Sequence, residues 1–89
     1  WGKREVTVET SLSNGDKVSR RLDIADISAK QGVEVKSGKY FSLDKNIAYE
    51  VERDAALVKE GWSIEWHIDG KASQPLLDAL NKAGITKTP

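Results

Sequence analysis

The stretch GVEVKSGKYFSL, residues Gly32 to Leu43, joins two patterns of different period. Val33 and Val35 alternate with Glu34 and Lys36, as in a half-buried strand. Leu43 then opens the series Leu43, Ile47, Val51, Ala55 and Val58, spaced near four residues with one step of three. That spacing predicts an amphipathic helix over about 43–60, with Ser42 as its N-cap and Gly61 as its stop. A strand that feeds a helix in this way predicts a crossover to a parallel neighbour. The strand also carries a glutamate and a lysine towards one side. A solvent-facing salt pair and a metal-dependent site both answer to that pattern.

On either side the patterning extends the same architecture. Residues 4–12 alternate through Val6 and Val8, and Ser13-Asn14-Gly15-Asp16 is a turn signal. Residues 17–27 set Val18, Leu22 and Ile24 against Ser19, Arg21 and Asp23. A second turn, SAKQG, leads to the third strand at 32–39, so the first three strands form an antiparallel meander. After the long helix, Trp62, Ile64, Trp66 and Ile68 alternate strictly over 62–68. A turn at DGKAS precedes a short helix over 74–84, with Pro75 in its first turn and Gly84 past its end. The order is βββαβα: an α/β fold, with a mixed sheet and helices packed on it, in one domain spanning 1–89.

Composition narrows the chemistry. Fourteen basic and fourteen acidic side chains cancel, so any hold on a polyanion must come from a local patch or a bound metal. The absence of cysteine excludes disulfides, thiolate metal sites and a cysteine nucleophile. No apolar run approaches the roughly 20 residues needed to cross a bilayer. The sequence starts at Trp1 and contains no methionine, which predicts a segment of a longer protein.

Side-chain parity assembles a candidate site. With the apolar faces of strands two and three together, Asp23, Glu34 and Lys36 fall on one side, expected to be the exposed face of the hairpin. Two carboxylates on adjacent strands can hold a hard divalent cation through oxygen. A lysine two residues on can orient or deprotonate a water and stabilise charge on a phosphorane-like transition state. On spacing alone an exposed charge ladder is the simpler reading; the hairpin parity and the helix that follows favour a site.

The segment RRLDIADISAKQGVEVKSGKYFSLDKN resembles the core of the PD-(D/E)xK nuclease superfamily, the restriction-endonuclease-like fold. More narrowly, residues 4–85 resemble C-terminal nuclease domains of bacterial polymorphic toxins, including contact-dependent growth inhibition effectors. That likeness rests on Arg21-Leu22-Asp23-Ile24, Glu34-Val35-Lys36-Ser37-Gly38, Ser42-Leu43, and the ending WSIEWHIDGKASQPLLDALNKAGI. The resemblance implies Asp23 and Glu34 as metal ligands with the Val35 carbonyl, and Lys36 as the catalytic lysine. It implies a divalent metal, Mg2+ foremost with Mn2+ or Zn2+ as options, and a DNA or tRNA substrate. It also implies a cognate immunity protein as partner and no membrane contact by this domain. The larger effector would be secreted or presented at a cell surface and act in the cytoplasm of a target bacterium. The family often adds a glutamate from a helix ahead of its first strand. The sequence starts only three residues before the first strand. Either that helix has been removed, which would weaken activity, or this variant manages without it; Glu9 is poorly placed to stand in.

Other residues have a bland and a functional reading. Arg21 can hold a phosphate or pair with a strand carboxylate. Lys39, Tyr40 and Lys45 can line a substrate groove, Tyr40 by stacking, or belong to the solvated surface. The Asn46, Glu50 and Asp54 stripe reads as solvated, with its Asn46 end near the site. The single histidine, His67, is expected to face solvent or a partner, and Trp62 and Trp66 to lie in the core. Two other functions remain open: a non-catalytic protein-binding module with a charged strand face, and a resolvase-type housekeeping nuclease. The missing basic excess and initiator methionine disfavour the latter.

Overall fold

The computed structural model describes residues 2–89. Five strands and two helices follow in the order β1 (Lys3–Ser11), β2 (Lys17–Asp26), β3 (Gln31–Phe41), α1 (Lys45–Lys59), β4 (Ser63–Ala72), α2 (Gln74–Ala83) and β5 (Thr86–Thr88). They form one mixed sheet in the spatial order β1-β2-β3-β4-β5. β1–β2 and β2–β3 are antiparallel, whereas β3–β4 and β4–β5 are parallel, each parallel pair joined across a helix. The α/β architecture expected from the alternating and helical periods is present. β5 is additional. Its three residues, TKT, are too few to show a strand period.

The core lies between the sheet and the helices. Leu22, Ile64, Trp66 and Ile68 meet Ile47, Val51 and Leu57 of α1 and Leu76 and Leu80 of α2. Removing a side chain such as Leu22 from water stabilises the fold by roughly 1.5–3 kcal/mol. Trp62 and Trp66 are both buried, as expected.

The helix departs from its predicted frame in two ways. Asp44, rather than Ser42, caps α1, its Oδ1 accepting from the Ile47 amide at 2.8 Å. The buried face is also rotated. Ile47, Val51, Asp54 and Leu57 point inward, while Leu43 is exposed and Ala55 and Val58 are half-buried. Asp54 is therefore no solvated surface residue; it is fully buried. β4 likewise continues through the predicted DGKAS turn to Ala72. Gly70 makes this possible with φ +145°, packed directly against the Gly38 carbonyl, where β3 carries one extra residue between Ser37 and Tyr40.

The largest correction concerns β3. Gly32, Glu34 and Lys36 face the helices, whereas Val35 is 44% exposed on the open side. Glu34 and Lys36 therefore do not project from the exposed face of the hairpin, while Asp23 on β2 is half-buried. Gly32 helps to fix this orientation. A Cβ there would come within 2.8 Å of Leu22 Cδ1 and 3.2 Å of Ile64 Cδ1, so any larger residue would push the ends of these core side chains aside. The charges it carries inward must then be paired there.

Candidate active site

β2 and β3 pair only through Ile24–Asp26 and Gln31–Val33. Beyond Val33 the strands part, and a side chain bridges them: the Val35 amide donates to Asp23 Oδ2 at 2.7 Å. The parting follows a slip in β2. Its buried positions run Arg20, Leu22, Ala25, so the two-residue period breaks at Asp23–Ile24. Opposite Asp23 on β1, Glu5 has φ +52° and interrupts the ladder.

The inward charges form a connected cluster. Arg20 donates from Nε to Asp54 Oδ1 at 2.7 Å and from Nη2 to Glu34 Oε2 at 2.7 Å. Trp66 Nε1 donates to Asp54 Oδ2, also at 2.7 Å. Glu34 faces Trp66 across the β3–β4 ladder, so this bracket joins β2, β3, β4 and α1. Lys36 Nζ donates to both Glu50 oxygens, at 2.8 and 3.0 Å, and lies 3.6 Å from Glu34 Oε2. Its ammonium also sits 5.3 Å from the centre of the Trp66 ring.

Burial and crowding set the protonation states. Glu34 is 4% exposed. Its pKa is pushed up to about 8, first by burial and then by the neighbouring Asp23 and Glu50 carboxyls, against the pull of Arg20. Burial opposes ionisation of Asp23 and Glu50 too, yet both are held below their ordinary values. For Asp23 hydrogen bonding with Glu34 and the Val35 amide outweighs burial; for Glu50 hydrogen bonding with Glu34 and Lys36 does so. Burial lowers the Arg20 pKa less than Asp54 and Glu34 raise it, so its guanidinium is held more firmly charged than usual. Burial and crowding thus favour the neutral form of Glu34, while Asp23 and Glu50 are held in the ionised form.

A cavity of about 370 Å³ opens on this cluster, lined by Arg20, Arg21, Asp23, Glu34, Val35, Lys36, Glu50 and Arg53. Asp23, Glu34, Val35, Lys36 and Arg21 are therefore brought together. Lys39, Tyr40 and Lys45 do not line the cavity; all three are exposed, Tyr40 at 61%. A groove of about 780 Å³ between α1 and α2 is roomier, but alanines and aliphatic side chains dominate its walls and no comparable charge cluster meets there. His67 is half-buried, with Nδ1 3.2 Å from Thr88 Oγ1, which ties β4 to β5.

Arg20, Glu50, Arg53, Asp54 and Trp66 join the cavity or its support without having been singled out for a role in it. The helix offered a signal. Asp54 lies seven residues after Ile47 and three after Val51, inside the buried stripe. A carboxylate there demands a buried cation, and Arg20 lies two residues before Leu22 on the same face of β2.

The donor set suits a hard divalent cation. Asp23 Oδ2 accepts from the Val35 amide and Glu34 Oε2 from Arg20, and the two carboxyls also hydrogen-bond each other, so a cation binding both would displace the proton between them. Crowded carboxyls that hold a proton between them are also the arrangement a cation relieves. Among the described residues no three His, Cys, Asp or Glu side chains converge as a metal cluster, so the side chains available to an ion here are the two carboxylates, Asp23 and Glu34. No family model matches the chain, and no curated protein or solved structure matches it either.

Proposed function

We propose that this domain is a divalent-metal-dependent endonuclease of the PD-(D/E)xK kind, the toxin part of a contact-dependent growth inhibition effector that cuts DNA or tRNA in target bacteria. The observation that carries the reading is the parting of β2 and β3, where Asp23, Glu34 and Lys36 line one cavity and Asp23 accepts from the Val35 amide. Asp23, Glu34 and the Val35 carbonyl would hold the ion, Mg2+ foremost and Mn2+ or Zn2+ otherwise. When bound, it polarises a phosphoryl oxygen and makes a water more acidic.

The chain's own residues supply the rest. Lys36 has three N–H donors; two meet Glu50, and the third is available to an attacking water or a phosphoryl oxygen. Glu50 orients that ammonium. Arg20 fixes Glu34 while Asp54 and Trp66 fix Arg20, so the ligand carboxylate is aimed from a rigid bracket. Arg21, largely exposed, can meet a phosphate at the cavity mouth. Lys39, Tyr40 and Lys45 would contact nucleic acid beyond the cavity.

One observation favours a non-catalytic binding module instead. The close polar partners of Glu34 and Lys36 are all internal, as in a purely structural network. Incubation with plasmid, total tRNA and rRNA, with and without magnesium, manganese or zinc, separates the two readings. The nuclease reading expects metal-dependent cleavage that Asp23→Ala and Lys36→Ala abolish without altering the circular dichroism spectrum. Undiminished activity in both variants, or none in the wild type, would overturn it.

A toxin of this kind would require an immunity protein to spare its maker. The interface we expect includes Lys39, Tyr40 and Lys45, where a partner would block substrate by direct occlusion. Replacing all three should weaken immunity binding and substrate binding together. Full immunity affinity alongside impaired cleavage would place the partner elsewhere.

A further inference from the structure

The cations around the cavity differ in how far they are already committed. Arg20 is held by Asp54 and Glu34, and Lys36 by Glu50. Arg21 is 69% exposed, and Glu5 lies 3.9 Å away. Arg53 is different. It lines the same cavity from α1 and is half-buried, and its Nε is buried without a hydrogen-bond partner. No salt bridge engages it among the described residues. Its guanidinium lies 4.9 Å from the centre of the Tyr49 ring, one turn earlier on the helix.

A buried donor without an acceptor costs stability, so its retention calls for a compensating partner. The nearby carboxylates are occupied: Asp54 accepts from Arg20 and Trp66, and Glu50 from Lys36. Tyr49, 4.9 Å from the guanidinium, restrains it on one side while leaving the terminal N–H groups beyond Nε for a ligand. A planar, permanently charged fork beside a phosphodiester-sized cavity matches an anion with paired oxygens.

We propose that Arg53 grips a backbone phosphate of the nucleic-acid substrate, with Tyr49 as the surface that orients it. This assignment rests on the nuclease reading and adds a phosphate contact from the helix to those of the strands. It requires no movement of the Arg20–Asp54 bracket, since Arg53 takes no part in it.

The test is binding of fluorescent duplex DNA and tRNA in EDTA, where metal-dependent cleavage is stopped, over a range of salt concentrations. Wild type, Arg53→Gln and Arg53→Lys are compared, and each is checked for folding by circular dichroism and melting. Arg53→Gln should weaken binding of the preferred substrate about tenfold and reduce the log–log salt slope by about one, as for one lost phosphate contact. Arg53→Lys should keep the slope but lose part of the affinity, because it keeps the charge without the fork. Should Arg53→Gln fail to fold, Arg53→Lys carries the test alone, and wild-type affinity in it overturns the assignment. If the wild type cleaves in the presence of metal while Arg53→Gln binds with unchanged affinity and slope, the Arg53 assignment fails and the nuclease reading stands. A wild type that neither binds nor cleaves defeats both.

Discussion

Glu34 shows how far one residue's surroundings can move its chemistry. Folded, it holds its proton to about 8; at its ordinary value it would release it near 4.5. Between those values the folded chain binds more protons than the unfolded chain, so stability falls as pH rises, by at most about 1.4 kcal/mol per pH unit. Asp23 and Glu50 act in the opposite sense, losing their contribution only as pH falls below the ordinary carboxylate range. Urea midpoints measured from about pH 5 to about pH 8 should therefore decline in the metal-free wild type and flatten in Glu34→Gln. A midpoint that rises over that range contradicts the assignment of the proton to Glu34. Arg20 offers a second test at this scale. Arg20→Met would leave Asp54 and Glu34 buried without their cation, at a cost of about 3–5 kcal/mol in urea unfolding. A loss below about 1 kcal/mol would show that the bracket does not support the fold. That Asp23, Glu34 and Lys36 would lie close together was legible in the sequence from strand parity. Their burial was not: parity says that two residues share a side, and Val33 and Val35 made the wrong side look like the core.

At the scale of elements, the strong periods were reliable and the boundaries were not. The meander, the crossover helix and the Trp62–Ile68 alternation all appear where their patterns fall. The start of α1 shifted because Ser42 and Asp44 are both capping residues, and only geometry shows which oxygen meets the free amides. Asp44→Ala should cost about 1 kcal/mol, whereas Ser42→Ala should leave thermal stability nearly unchanged. The reverse order of effects would return the cap to Ser42. The rotated face of α1 has a related cause. Alanine and valine populate the groove towards α2 as well as the core, so an apolar stripe alone did not separate the two faces. Asp54 broke the apolar pattern at the core position where it pairs with Arg20. β5 lacked a readable period, yet Thr88 Oγ1 joins it to His67 and Glu65 on β4.

At the scale of the whole molecule, the Cα radius of gyration is 12.3 Å and the principal extents are 32 × 32 × 18 Å. That size matches the roughly 12 Å expected of a compact chain this long. Zero net charge means that no broad positive field draws in a polyanion, so the nucleic-acid recognition proposed above would have to be local, at the cavity and its rim. Compactness also limits what a small fold can hold inside: Arg20, Glu34 and Asp54 take core positions that aliphatic side chains would stabilise at least as well. A metal site would give that arrangement a use, whereas a surface charge ladder would not require it. Calorimetric titration of the folded domain with magnesium, manganese and zinc near neutral pH tests this most directly. One saturable site is expected, its filling accompanied by proton release as the ion displaces the proton held at Glu34, and lost in both Asp23→Asn and Glu34→Gln. No binding of any of the three ions at millimolar concentration, or undiminished binding in those two variants, would contradict a metal centre at Asp23 and Glu34.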